Sequence, residues 1–432
     1  MTVLTPKSES QPGPGRTAVP SRARAWAMTL LVTLFLFLNF ANKASLGLVA
    51  EPFTRELGLS NAEFGLIVGS TYFLFGAGTL AAGVLGSRVR TRWLLVACVI
   101  GWVVTQAPMT LPLGLGGLMA CRVLLGAALG PGPALASDVA YSWFPLERRA
   151  FPGGIVMAGT SLGVAVSSPV LAWVMVEHGW RTVFAVLAVA SAGWAVVWLA
   201  VGREGPFSVA EDGAAPGERR EKPDYRAMFR SRTWIACVIG LFGASWTAAV
   251  VTNWLPTLIS RVLHVEGTAM GFVNGAAWTT DLCCTLTFCF LADRAYRKKR
   301  SARKARSLPG GLLLLGSAVC MLALPLLGDG ALALGVVVLG FPLYGVFIPF
   351  GLASIAEVAP VRQRSAALLT GFGLGQLSAL IGPWLVGVLV DAAPDGNTGL
   401  YAAFALTGAL LLVGAVAMLF LARPDRDTWP AV

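Results

Sequence analysis

Three ionisable side chains of this 432-residue chain stand inside runs that are otherwise apolar: Lys43 in LNFANKASL (38–46), Arg122 in MACRVLLGA (119–127) and Asp281 in WTTDLCC (278–284). A charged side chain at the centre of a bilayer costs roughly 3 kcal/mol on insertion scales, so such groups face a bundle interior or a water-filled cavity and mark a site. At 1.5 Å per residue, Lys43 lies about 9 Å below the outer end of its run and Arg122 about 8 Å below the outer end of its own. Two cations at one depth repel. An anionic ligand neutralising both is one resolution, in which Arg122 offers a planar fork to a carboxylate, phosphonate or sulfonate and Lys43 a point charge. The competing reading makes them structural cations that reach the outer interface or backbone carbonyls.

Asn274, Trp278 and Asp281 recur at i, i+4 and i+7 and so share one face of a helix. Asp281 is about 20 Å from the outer end of its run, near mid-membrane. A lone carboxylate there can exchange a proton. Alternatively it pairs with Lys43 or Arg122 until a ligand displaces it, or it is structural, bonded to Trp246 or Trp278. Asn39 and Asn42 flank Lys43 at i−4 and i−1, and Tyr72, Asn253, Trp254, Tyr344 and Gln376 are further polar or aromatic candidates for a cavity wall. With 14 Trp, 22 Phe and 6 Tyr in the chain, aromatic residues serve mostly as core and interfacial belts.

The elements that must position these groups are helices. The chain is 56% hydrophobic and 13% charged, against roughly 25% charged in a soluble domain, which makes it a polytopic membrane protein. Apolar segments of about 20 residues, long enough to span, occur near 26–49, 62–84, 93–112, 117–141, 151–175, 181–201, 233–257, 269–292, 308–328, 331–355, 365–391 and 399–422. If the chain starts in the cytoplasm, 28 of its 33 Lys and Arg fall on the inner side and only Arg55, Arg181 and Arg261 on the outer. That asymmetry predicts both termini in the cytoplasm.

The polar stretch 202–232 divides the spans six and six. The expected organisation is a disordered cytoplasmic tail over 1–25, a six-helix bundle over 26–201, a linker over 202–232, a second bundle over 233–422 and a tail over 423–432. Repetition supports the division: GTSLG at 159–163 returns as GFGLG at 371–375, and GVLGSR at 83–88 as CFLADR at 289–294, offsets of 212 and 206. Gly159 and Gly163, four apart, suit close helix packing. Parallel halves of this kind place a binding site between them.

Other classes are disfavoured. The formal charge of +11 resides in short segments between spans, and the basic run 294–306 reads as an anchor to anionic headgroups, so nucleic acid is not an expected partner. The seven cysteines lie in apolar runs without zinc spacing, so no metal and no cofactor are expected. The two histidines, His178 and His264, fall in outer loops without a nucleophile or metal partner in sequence, which argues against an enzyme. No removable signal peptide is evident, since the first apolar run is too long and lacks a cleavage site.

Twelve spans, a central polar loop and a basic loop after the second span together resemble the major facilitator superfamily. Its signature, roughly G-x-L-a-D-R-x-G-R-K, is similar to GVLGSRVRTR at 83–92, where Gly83, Leu85, Arg88 and Arg92 match while Ser87 and Arg90 depart. FLADR at 290–294 keeps the acid, as Asp293. Within the superfamily the chain is most similar to the anion:cation symporter group, which transports sugar acids, tartrate, phthalate and sialic acid. NFANK at 39–43 is similar to N-Y-x-D-R, RVLLGAALGPGP at 122–133 to R-x-x-x-G-x-x-E-x-P, and WFPLERRA at 143–150 to W-F-P-x-x-E-R; GW at 179–180 followed by RTVF also fits the group.

The resemblance implies an all-α fold of two six-helix bundles and transport by alternating access. In the group a first-helix Asp and a fourth-helix Glu handle the coupling proton; here those positions are Asn42 and Leu129, while the basic pair that faces the anion is retained as Lys43 and Arg122. Asp281 becomes the candidate for a coupling proton. The resemblance further implies a gate in which Asp138 pairs with Arg88 or Arg92, with Asp293, Arg294 and Glu357 as second-half counterparts, Glu357 beside Arg362 and Arg364. The expectation is a monomeric secondary transporter of a small organic anion in a bacterial inner membrane, arginine outnumbering lysine 27 to 6 as in GC-rich sources. The alternatives are an exporter of a small metabolite or drug-like compound and a non-transporting membrane sensor.

Overall fold

The computed structural model describes residues 22–86, 88–145, 148–207, 228–299, 301–360 and 363–427. Ser87, Arg362, residues 208–227 of the expected linker, the first 21 residues and the last five lie outside the described residues.

Among the described residues twelve helices are long and apolar enough to cross a membrane: Arg22–Leu48, Asn61–Gly86, Thr91–Thr110, Leu115–Tyr141, Phe151–His178, Trp180–Val201, Arg232–Arg261, Gly267–Lys298, Arg303–Leu327, Ala331–Val358, Ala366–Ala392 and Gly396–Phe420, the first to twelfth spans. All twelve expected segments are among them, and no strand occurs among the described residues. The helix is dictated by the solvent: a chain in hydrocarbon satisfies its N–H and C=O groups only within the segment. The eighth span runs six residues beyond its expected end at 292, because basic side chains at a helix end reach water from the last turns.

The third span ends in a tight turn at Ala107–Thr110 and the ninth begins with a wide one at Arg303–Ser307, while three spans are broken within their length. The second is helical over Asn61–Ser70 and Phe75–Gly86, with a tight turn at 71–74 between. The fourth is interrupted at Gly130 and Pro131, between Leu115–Leu129 and Gly132–Tyr141. The tenth passes through a wide turn at Val336–Gly340 and a tight one at Phe341–Val346 before Phe347–Val358. Irregular backbone at membrane depth survives only where protein or a wet cavity covers it, so these breaks face inward.

Glycines set the closest helix crossings. A Cβ at Gly159 or Gly163 would strike the backbone carbonyls of Thr33 and Phe37, which seats the fifth span on the first. At Gly375 it would meet the Leu241 carbonyl, seating the eleventh on the seventh. The last glycine of each repeated motif, Gly163 and Gly375, thus makes an equivalent crossing in the two sets of six helices.

The two sets meet tightly at the face that carries Glu51, Asn61, Arg261 and Asp391. There Asp391 accepts from the backbone amides of Asn61 (3.1 Å) and Ala62 (2.7 Å), and Arg261 lies 3.6 Å from Glu51. The opposite face bears the basic loops and is splayed. In the second span, Asn61–Ser70 buries Phe64, Ile67 and Val68, whereas Phe75–Gly86 buries nothing. In the seventh, 72% of the apolar window is buried, against 22% in the eighth.

Two segments outside the expected bundles are pinned at this basic face. Gly205 and Phe207, at the start of the expected linker, donate to the Ser142 hydroxyl and carbonyl, both at 2.8 Å. In the expected C-terminal tail, Asp425 accepts from Ala302 (2.8 Å) and Asp427 from Thr233 (2.6 Å), so two carboxylates cap the first turns of the ninth and seventh spans.

Candidate functional site

Lys43 sits five residues before the end of the first span and is partly buried. Its ammonium lies over three aromatic rings, Phe40 and Tyr72 at 5.1 Å and Phe75 at 5.7 Å. Tyr72 and Phe75 are delivered by the turn at 71–74, which swings both rings of the second span toward the first. No carboxylate pairs with Lys43 among the described residues. Cation–π contacts are worth about 0.5–2 kcal/mol and leave the positive charge in place. The Tyr72 hydroxyl is buried without a partner.

Arg122 is 2% exposed, and its Nε and one terminal nitrogen have no hydrogen-bond partner. Its guanidinium lies 5.4 Å from the Phe184 ring of the sixth span. Both intramembrane cations are therefore held by π faces and not by acids. The expected pairing of Asp281 with either cation is absent from the described ion pairs.

Asn39 and Asn42 differ from the expectation of a cavity wall, and the cause is local. Pro133 has no N–H to give the Leu129 carbonyl four residues earlier. Asn39 supplies the missing donor at 3.0 Å, and a Cβ at Gly132 would come within 2.5 Å of its amide. Asn42 points about 100° away from Lys43 around the helix. Its amide accepts from Gln106 (2.8 Å) and donates to Leu38 (2.8 Å) and Ser191 (3.3 Å), crosslinking the first, third and sixth spans. Both asparagines are consumed by helix packing.

The stripe Asn274, Trp278, Asp281 forms a seam across the two halves. Asn274 donates to Ser168 at 2.8 Å, Trp278 packs among Phe40, Ala44, Val164 and Ala165, and Asp281 accepts from Ser161 at 2.9 Å. The partners fall in antiparallel order along the fifth span. The Asn274 carbonyl oxygen and the Trp278 indole N–H remain buried and unpartnered. Tyr344 is buried in the tight turn of the tenth span, near Asp281 and Tyr72. Gln376 is partly buried on the eleventh span. Asn253 donates to Ala249 and Trp254 to the Pro383 carbonyl, so both serve packing.

The expected gating pairs take other partners. Asp138 accepts from Thr91 at 2.7 Å, at the first turn of the third span, and makes no ion pair with Arg88 or Arg92 among the described residues. Its carboxylate takes the Thr91 hydroxyl and lies near the positive end of that helix's dipole, which competes with an exposed arginine. Arg92 instead donates to the Leu199 carbonyl at 2.6 Å. Glu357 lies 3.7 Å from Arg306 and accepts from Tyr296 at 2.7 Å; Asp293 shares Arg306 at 3.4 Å; Arg294 is exposed. Ser161, Gln106, Arg306 and Asp391 escaped the sequence reading, since a serine or glutamine in an apolar run and a charge at a span end are ordinary there.

The Major Facilitator Superfamily family model matches residues 32–345 and 259–431. The "Hexuronate transporter" of Bacillus subtilis (strain 168) is 27% identical over 91% of this chain and 95% of its own length. The "Probable L-galactonate transporter" of Escherichia coli (strain K12) is 24% identical over 98% and 96%. Among solved structures, a bacterial homolog of the human lysosomal transporter Spinster, in an inward-facing and unoccupied conformation, superposes with a TM-score of 0.79 at 18% identity, covering 95% of this chain and all of that one. The chain belongs to the Major Facilitator Superfamily.

Proposed function

We propose that this member of the Major Facilitator Superfamily is a secondary transporter that moves a small organic anion, of the carboxylate or sugar-acid type, by alternating access. The observation that carries the reading is the pair of intramembrane cations, Lys43 and Arg122, held by aromatic faces with donors to spare and no acid beside them. A carboxylate arriving between the halves meets the Arg122 nitrogens, the Lys43 ammonium, the Tyr72 hydroxyl and the Trp278 N–H, all donors. The hexuronate and galactonate relatives support that substrate class. With the basic loops in the cytoplasm, the splayed face opens inward and the sealed face closes the outside. Asp281, the acid deepest in the spans among the described residues, is the candidate carrier of a coupling proton. We place the protein in a bacterial inner membrane, as a monomer.

The reading is tested by counterflow of labelled glucuronate into proteoliposomes, which needs alternating access and no ion gradient. Lys43→Ala and Arg122→Ala are each expected to lower exchange about 10- to 100-fold, the size of a lost hydrogen bond to a charged group. If both variants exchange normally, or a substrate panel yields only neutral or cationic compounds, the anion assignment fails and export of another chemical class replaces it.

A further inference from the structure

Seen along the eighth span from the sealed face, contacts with the fifth come at regular intervals. Gly271 leaves room for the Pro169 backbone, Asn274 reaches Ser168, Gly275 passes the Ala165 carbonyl, Trp278 fills the space at Val164, and Asp281 meets Ser161. Past that rung no side-chain hydrogen bond joins the two spans among the described residues, and Met157 on the fifth and Leu286 on the eighth are both exposed. Asp281 is the last polar tie before the splayed half. Its second oxygen lies against the tenth span, where a Cβ at position 345 would collide with Oδ1 and push the carboxylate aside.

The groups facing this carboxylate are few. The fifth span presents the Ser161 hydroxyl, the tenth presents Tyr344, and on the eighth itself Cys284 lies within reach of its charge. Tyr72 stands beyond Tyr344, and Lys43 lies against the Tyr72 ring. No lysine or arginine is in ion-pair contact with Asp281 among the described residues. The carboxylate thus has one hydrogen-bond donor among them, and that donor comes from the other half of the molecule.

We propose that Ser161 and Gly345 are positioning residues that tie the charge state of Asp281 to the separation of the two helical sets. The proposal rests on the transport reading given above. A hydroxyl donates about twice as strongly to a carboxylate as to a neutral acceptor. With Asp281 ionised, the Ser161 O–H holds the final rung of the seam. A proton taken from water by an Asp281 oxygen weakens that rung, and its return to water on the other side restores it. Gly345 keeps the carboxylate within reach of Ser161 by leaving the tenth span without a side chain at that point.

The test uses spin labels at positions 157 and 286, just past Asp281 on the splayed side, in the full chain with its seven cysteines replaced, and reads their separation against pH without substrate. Wild type is expected to change its distance distribution with a single midpoint. Ser161→Ala is expected to move that midpoint by about one pH unit, the size of a lost hydrogen bond to a charged group, and Ser161→Thr to restore it. Asp281→Asn is expected to abolish the response, and Gly345→Ala to displace the midpoint as Ser161→Ala does. A wild-type distribution indifferent to pH, or a Ser161→Ala midpoint equal to wild type, overturns the proposal. Glucuronate counterflow, run in parallel, reports separately on the anion reading: lost exchange with an intact pH response sinks that reading alone.

Discussion

The seam between the second and eleventh spans and the seam between the eighth and fifth are built alike and used differently. In the first, Gly65 and Gly69 admit the backbone carbonyls of Pro383 and Leu380; in the second, Gly271 and Gly275 admit those of Ser168 and Ala165 beside Pro169. The glycine pairs are 206 residues apart in sequence, the offset at which GVLGSR returns as CFLADR. Each seam also carries one aspartate, and there the likeness ends. Asp391 stands at the exposed rim, capping the amides that begin the second span, whereas Asp281 stands at mid-depth with a serine from the other half as its hydrogen-bond donor. The repeated backbone therefore builds both contact surfaces, and the depth of the one acid on each is what distinguishes them.

The backbone half of that comparison predicts the largest effect. Gly69→Val and Gly275→Val each force side-chain atoms into a facing carbonyl, an overpacking penalty of about 1–3 kcal/mol. If these contacts part as the sealed face opens, as the proposed alternating access requires, each variant is expected to shift the population away from the sealed state by about 5- to 100-fold. A cysteine replacing the buried Ala50 at the sealed face reports this through its reaction rate with an impermeant thiol reagent. Equal responses confirm that the seams are mechanically equivalent; a response from only one breaks the comparison.

The acid half predicts a smaller effect with a different signature. Asp391→Asn loses a charged cap on a helix N-terminus, worth about 1 kcal/mol, and is expected to raise Ala50→Cys labelling several-fold at every pH. It should leave the pH midpoint of the 157 to 286 distance unchanged. A moved midpoint would mean that the rim acid also senses protons and that depth is not what separates the two.

How much of this was legible in the chain depends on the length scale of the signal. Twelve spans and the internal repeat announce themselves because hydropathy integrates over about 20 residues. Lys43, Arg122 and Asp281 stood out because a charge in an apolar run has no ordinary explanation. What escaped was set by single contacts between distant segments. Asn39 and Asn42 share a helix with Lys43, but a proline at 133 and a glutamine at 106 claimed their amides. Glu357 lies against Arg306, some fifty residues away in sequence, and Asp425 and Asp427 folded back onto helix ends that sequence separation hides. The stripe Asn274, Trp278, Asp281 was readable as a face, but what it faced was not, because periodicity fixes a side of a helix without naming its neighbour.

The smallest expected effect tests whether a rim carboxylate titrates near neutral pH. Glu56, in the short helix Ala50–Leu57, accepts from the Arg181 guanidinium and from the Trp180 indole at 2.6 Å. The hydrogen bond from Arg181, then that from Trp180, holds its carboxyl below the ordinary glutamate value of 4.5. A depressed carboxylate contributes stability that is fully present above the unfolded value and is lost as pH falls through the folded one. The contribution is therefore constant around neutrality and fades only in acid, and it is small because both side chains are well exposed and screened. Melting curves of wild type and Glu56→Gln should differ by a constant small shift in Tm around neutral pH, converging below about pH 4.5. A difference that varies around neutrality would give this rim acid a neutral-range titration, and the contrast between wet rim and dry mid-depth would lose its physical basis.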